Sequence, residues 1–307
     1  MILSASRRTD LPSLYPEWLY NRLREGCVIV PNPYRTGHAV KLMFSPETVD
    51  CIVFWTKNPI PLEPYLSRIE RLGYPNYYFS YTITAFGGEE EPNLLPLEER
   101  LESFRRLSRR LGAERVDWRF DPVLINEKYS VEWTAERFGV LCRELNGFTK
   151  RCILSFADPY RHLKNSVPPM KEEEIQEAAK ALAAEASRWN LPLVTCAEEM
   201  NLTGYGIHPG ACISREKLEA VTGNQLKVKK DAGQRPACGC VESYEIGAYN
   251  TCVNGCFYCY ATRNSDAARR VYAAHSPTSP VLGGIPGQNW ILNEKNPPSL
   301  QTGQIAF

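Results

Sequence analysis

The sequence predicts an α/β fold, a parallel (β/α) barrel of TIM type, complete or partial, and three observations carry that expectation. Short apolar runs of strand composition alternate with amphipathic runs of helical period six or seven times, and parallel strands need such crossover helices. No G-x-G-x-x-G or P-loop string is present, which argues against a doubly wound nucleotide-binding sheet. Polar and charged residues recur just past the strand runs, where barrels place their chemistry.

Taken in order, Ile2-Leu3-Ser4-Ala5-Ser6 reads as the first strand. Leu14, Tyr15, Trp18, Leu19 and Leu23 then recur at helical spacing. Residues 27–30 and 39–44 are shorter strands around a Pro-rich turn. Residues 51–55 (Cys-Ile-Val-Phe-Trp) form a buried-type strand, and Leu62, Tyr65, Leu66, Ile69 and Leu72 stripe the helix after it. Residues 77–84 are β-branched and aromatic, and Leu97, Leu101, Phe104, Leu107 and Leu111 mark the next helix. Strands at 116–120 and 152–156 flank a helix over 131–145. The helix at 172–189 starts with charge and carries Ile175, Ala179, Leu182 and Ala186 on one face, and 193–196 closes the series. A last short strand at 244–249 and a last helix at 264–272 complete the pattern. The expected organisation is one barrel domain over 1–275, with 196–262 as its cysteine-rich part and 276–307 as an irregular tail whose final third is disordered.

Composition excludes several classes. Lys plus Arg total 36 against 35 for Asp plus Glu, so no bulk polyanion partner is indicated, and the Arg105–Arg110 helix reads as a solvated face. No stretch approaches the ~18 consecutive apolar residues of a membrane span. The N-terminal residues lack the apolar core of a signal peptide, so the expectation is a cytoplasmic, reduced chain in which clustered cysteines serve metals or catalysis rather than disulfides.

The most informative string is Cys252-Val-Asn-Gly-Cys256-Phe-Tyr-Cys259, a C-x3-C-x2-C triad with an aromatic before its last member. Three thiolates grip a soft metal centre but leave one position of a tetrahedral ion or a cubane open to another ligand. Zinc with a borrowed fourth ligand is the alternative occupant. Four more cysteines, Cys196, Cys212, Cys238 and Cys240, are the right number for a fully ligated second 4Fe-4S cluster or for structural zinc, and both readings stay open. Cys27, Cys51, Cys142 and Cys152 sit in apolar runs and read as core. The polar strand ends are Arg7, Arg8 and Asp10, Lys57 and Asn58, Arg119 and Asp121, Asp158, and Glu198. Four scattered histidines form no legible His site.

The triad resembles the signature of radical S-adenosylmethionine (radical SAM) enzymes. That resemblance implies a 4Fe-4S cluster on Cys252, Cys256 and Cys259, with SAM on the fourth iron and reductive cleavage of SAM to a 5′-deoxyadenosyl radical. It also implies a backbone contact from Tyr258 to the adenine, and an electron donor such as flavodoxin or ferredoxin. The triad falls in a final β-loop-α unit, whereas the family usually carries it after the first strand, so the chain resembles a circularly permuted radical SAM barrel whose first and last units are neighbours. By that order Arg8 or Arg7 meets the SAM carboxylate or an anionic substrate, and Arg7, Asp10, Arg119 and Asp121 are the catalytic candidates. Gly87-Gly88-Glu89 is similar to the family's element for the SAM amino group, but it follows the wrong strand, and Glu89-Glu90-Glu91-Pro92 reads as a solvated loop. The strings S-A-S-R-R-T-D, W-T-K-N-P at Trp55, W-R-F-D-P at Trp118, K-D-A-G-Q-R-P-A-C-G-C-V-E-S at Lys230 and S-P-V-L-G-G at Ser279 resemble an uncharacterised bacterial family noted for a radical-SAM-like cysteine cluster near its C-terminus. The expected function is radical chemistry on a small polar molecule. The competing reading is a zinc- or cluster-stabilised binding protein without turnover, with nucleic acid as a conceivable ligand.

Overall fold

The computed structural model describes residues 1–163, 165–284, 287 and 289–306. Its strands are β1 (Ile2–Ala5), β2 (Cys27–Pro31), β3 (His38–Met43), β4 (Cys51–Thr56), β5 (Tyr77–Thr82), β6 (Val116–Val123), β7 (Cys152–Phe156), β8 (Leu193–Cys196), β9 (Ile207–Gly210), β10 (Asn224–Leu226), β11 (Tyr244–Glu245), β12 (Ile291–Lys295) and β13 (Gln301–Ile305). Its helices are α1 (Leu11–Leu14), α2 (Pro16–Glu25), α3 (Glu63–Arg71), α4 (Leu97–Leu111), α5 (Val131–Leu145), α6 (Glu172–Ser187), α7 (Arg215–Thr222) and α8 (Ser265–Ala274).

Eight strands form one parallel sheet in the order β11-β1-β4-β5-β6-β7-β8-β9. The first strand therefore lies between β4 and the strand that leads into the triad, with Leu3 opposite Tyr244 and Ser4 opposite Glu245. The first strand is thus beside the triad-bearing unit, as expected. Of the two expected forms, complete or partial, the complete one is not formed: among the described residues no ladder joins the edge strands β9 and β11, so the sheet is not closed.

Side chains alternate across the sheet with period two. Leu3, Ile52, Phe54, Tyr77 and Phe79 face one core that also takes Trp18, Leu66, Phe104, Phe138 and Leu182 from the helices. Ile2, Val53, Trp55, Tyr78 and Ile153 face a second core, filled by the segment after β9 that includes Cys212, Leu218, Cys238 and Cys240. Both faces are covered, which is why β4 and β5 are buried along their whole length and read as unbroken apolar runs. The crossover helices α2 to α6 all pack against the first core; only α7 joins the second. Most of the helices thus lie on one face, unlike a doubly wound sheet, which carries helices on both.

Several expectations need correction. The strands at 27–31 and 38–43 lie outside the main sheet, as an antiparallel pair extended by β12. Residues 276–307, expected to be irregular with a disordered end, carry β12, parallel to β3, and β13, antiparallel to β10. Both strands are exposed throughout, so no apolar alternation marks them, and backbone pairing holds them instead. The Leu300 amide adds a 2.8 Å bond to the Asp50 carboxylate. β9 was absent from the sequence pattern because Ile-His-Pro-Gly lacks an apolar run; a proline is tolerated there because the strand is an edge. The helix expected from Leu14 to Leu23 is broken before Pro16 into α1 and α2, as the missing amide of proline dictates.

A candidate metal centre at the C-terminal ends of the strands

The triad loop leaves β11 and is at once locked to the end of β1. Glu245 accepts from the Arg7 amide at 2.9 Å and the Ser4 hydroxyl at 3.2 Å, and Gly247 packs so closely on Ser6 that a Cβ there would collide with its side chain. The Thr9 hydroxyl donates to the Ala248 carbonyl at 2.9 Å, Tyr15 to the Thr251 carbonyl at 2.6 Å, and Tyr260 to the Arg7 carbonyl at 2.7 Å. Gly255 has φ +76°, a left-handed turn between the first two cysteines that favours glycine. The loop is thus held by hydrogen bonds that do not involve its thiols.

Two buried carboxylates set its neighbours. Asp10 is 8 % exposed and accepts from the Ser13 amide at 3.1 Å, the Thr56 hydroxyl at 2.7 Å, the Lys57 amide at 2.8 Å and Asn254 Nδ2 at 3.2 Å. It caps α1 and ties the ends of β1 and β4 to the triad loop, with both oxygens engaged. Glu91, 1 % exposed, pairs with Lys57 Nζ at 2.8 Å and Arg100 at 3.0 Å, and accepts from Thr84 at 3.0 Å and from the Tyr258 hydroxyl. Lys57 Nζ also lies 5.4 Å from the centroid of the Tyr258 ring. The expectation of a solvated acidic loop holds for Glu89 and fails for Glu91. Gly87, Gly88 and Glu89 lie outside the cavity, and Glu89 pairs with exposed Lys128.

A cavity of about 490 Å³ opens at this end of the sheet, within the range of small-molecule sites, roughly 300–1,000 Å³. It brings together every metal candidate, Cys252, Cys256, Cys259, Cys196, Cys212, Cys238 and Cys240, with Arg7, Arg8, Asp10, Arg119, Asp121 and Tyr258. Trp55 is its organising wall: its Nε1 donates to Ser4 Oγ at 3.0 Å, and the Arg7 and Arg119 guanidiniums sit 4.8 and 5.0 Å from its ring centroid. Arg119 pairs with Asp121, yet its Nε, like Arg7 NH2, is buried with no partner. Arg8 lies over Tyr249 at 4.8 Å. Arg235 grips both oxygens of Asp158 at 2.7 and 2.6 Å beside the cavity. A second depression of about 450 Å³, by Ile125, Ser130 and Lys171, has no cysteine or histidine in its lining.

The two cysteine sets differ in geometry. The sulfurs of Cys196, Cys238 and Cys240 lie within 4.8 Å of one another, and Cys212 Sγ is 3.1 Å from Cys196 Sγ. Three close cysteines there are able to hold a metal ion. Among the described residues the triad sulfurs do not form such a close group. Two of its thiols resist ionisation: burial pushes Cys256 up to about 12 and raises Cys252 as well. In the close set, hydrogen bonds from Cys196, Cys212 and Cys238 lower the Cys240 thiol far below its usual range. Cys51, Cys142 and Cys152 are core residues as expected, whereas Cys27 is partly exposed.

Structure gives two residues contacts that the sequence did not show. His162 Nε2 approaches the Cys259 carbonyl at 3.2 Å, a contact between loops far apart in the chain. Glu198 was legible only as one strand-end charge. It accepts from the Phe156 amide at 2.8 Å, and Ala197 before it adopts φ +61°. Burial, with Asp158 and Asp121 adding to it against the Phe156 hydrogen bond, raises its carboxyl from 4.5 to about 7. A raised carboxyl contributes stability below its unfolded value that is lost as pH rises through the folded one. Wild-type stability relative to Glu198→Gln should therefore fall between pH 4.5 and about 7, as read by denaturant unfolding at a series of pH values. A flat difference across that window would refute the assignment.

A family model described as Domain of unknown function (DUF1848) matches residues 2–261. The match takes in the triad and stops before residues 279–284, to which the resemblance of the sequence extends. No curated protein and no solved structure matches the chain.

Proposed function

Since the chain belongs to this family, whose description names no activity, we propose from the site itself that it is a radical SAM-type enzyme acting on a small, polar, anionic molecule. The observation that carries the reading is the docking of the C-x3-C-x2-C loop against the end of β1, with all three cysteines on one cavity of small-molecule size. The donor set fits a 4Fe-4S cluster: three soft ligands, spread more widely than one tetrahedral ion needs and facing open space. When bound, the cluster and SAM supply reductive cleavage of SAM and, through it, hydrogen-atom abstraction from a substrate C–H bond.

The chain's own residues then have defined tasks. Asp10 and Glu91 fix the triad loop and Tyr258 by hydrogen bonds. Arg7 and Arg119, stacked on Trp55, present positive charge to the cavity and suit a carboxylate or phosphate of SAM or substrate. Arg8 stands at the same end of β1 for the same purpose. The required electron comes from a one-electron protein donor of the flavodoxin or ferredoxin kind. The permuted barrel is, in this reading, the partial, open form.

The test is anaerobic reconstitution with iron and sulfide, followed by SAM and a low-potential reductant, assayed for 5′-deoxyadenosine. Formation of 5′-deoxyadenosine above a protein-free control is the expected result. Full iron and sulfide loading with no cleavage of SAM would leave the non-catalytic, metal-stabilised protein as the better reading.

A further inference from the structure

We propose that Cys196, Cys212, Cys238 and Cys240 hold one tetrahedral divalent ion, zinc by its ligand set, which staples the open seam between the edge strands β9 and β11. The proposal stands apart from the radical SAM reading and concerns a different set of ligands.

Topology supplies the first argument. The parallel sheet ends at β9 on one side and β11 on the other, and no ladder joins these edges among the described residues. The close cysteines come from the segments around that gap, with Cys196 one strand in from the edge. Cys196 ends β8, Cys212 follows β9 by two residues, and Cys238 and Cys240 precede β11. The chain on the two sides already meets there: the Val241 amide donates to the Ile213 carbonyl at 2.9 Å, and the Ile213 amide points to Cys240 Sγ at 3.5 Å. An unpaired sheet edge leaves backbone groups without partners, and an ion drawing ligands from both sides replaces the missing ladder.

Geometry supplies the second. Zn–S bonds of about 2.3 Å in a tetrahedron place the sulfurs about 3.8 Å apart. Three of these sulfurs lie mutually within 4.8 Å and the fourth lies 3.1 Å from Cys196. A 4Fe-4S cubane seats each thiolate on a separate iron and separates them further, which suits the triad and not this set. The four ligands are deprotonated on binding, and their protons go to solvent.

Charge supplies the third. A divalent ion with four thiolates is a dianion, costly to bury without compensation. Arg7 and Arg119 line the same cavity as these cysteines, and each keeps a buried N–H group without a partner. The two guanidiniums offset part of that charge, Arg119 while also paired with Asp121, and the orphaned N–H groups are available to its sulfurs.

The test uses the full chain purified anaerobically, with zinc, iron and sulfide measured per chain. Expected are one zinc in the wild type and in Cys256→Ser, and loss of that zinc in Cys240→Ser. Cobalt loaded in place of zinc should give the intense visible bands of a tetrahedral tetrathiolate in the wild type and in Cys256→Ser. Hydrogen exchange after metal removal should quicken by about tenfold or more in peptides covering 207–213 and 238–245, with β5 unchanged. Iron and sulfide in Cys256→Ser in place of zinc, or zinc retained by Cys240→Ser, would overturn the ion assignment. Seam exchange indifferent to metal would overturn the staple. Should Cys240→Ser not fold, absence of tetrathiolate bands in the cobalt-loaded wild type is sufficient to reject the site.

Discussion

Cys256→Ala should lose the iron and sulfide of the triad and reduce 5′-deoxyadenosine formation to the protein-free level. Two thiolates cannot retain a cluster that three hold with one iron left open, so the expected effect is complete rather than graded. The fold should survive the change. The loop is fixed by Asn254 on Asp10, by Thr9 on Ala248 and by Tyr15 on Thr251, none of which uses a cysteine. An unchanged melting temperature with no iron would locate the effect at the site. A variant that keeps its full iron content would remove the triad from the cluster and the radical SAM reading with it.

Glu91→Ala should be the most damaging single change to the scaffold of the site. It leaves Arg100, 3 % exposed, and Lys57 without their counter-charge and frees the Tyr258 hydroxyl, and breaking a buried ion pair from one side costs on the order of 3–5 kcal/mol. Glu91→Gln keeps the shape and isolates the charge. Burial opposes ionisation of Glu91, but the charges of Lys57 and Arg100, with hydrogen bonds from Lys57 and Tyr258, outweigh it and hold the carboxyl below its ordinary range. A lowered carboxyl contributes stability above its unfolded pKa that is lost as pH falls through the folded one. Wild type and Glu91→Gln should therefore differ most at neutral pH and converge in acid, by urea unfolding. Equal stabilities at neutral pH would show that Glu91 is not the anchor of Tyr258.

Both predictions turn on residues of contrasting legibility. Cys256 announces itself through spacing, because ligands of one centre cluster in a short loop. Glu91 does not: in Glu89-Glu90-Glu91-Pro92 the composition is that of a solvated turn, and only the approach of Lys57, Arg100 and Tyr258 from three other segments makes one carboxylate of the three a buried hub. Arg119 and Asp121 were visible as strand-end charges, but their stacking and pairing beside Trp55 depend on β4 and β6 flanking β5.

By itself, the sequence determined the alternation of strands and helices, the one-ended recurrence of polar groups and the triad, which follow from local periodicity and residue spacing. The adjacency of β1 with β11 was expected only from the resemblance to a permuted barrel. Tertiary structure alone decided that the ring stays open at β9 and β11, that the polar tail supplies β12 and β13, and that one cysteine set is compact while the other is spread. The physical reason is range. Periodicity records which face of an element is buried, whereas edge pairing, buried ion pairs and metal geometry arise between segments up to hundreds of residues apart, where no local pattern carries them.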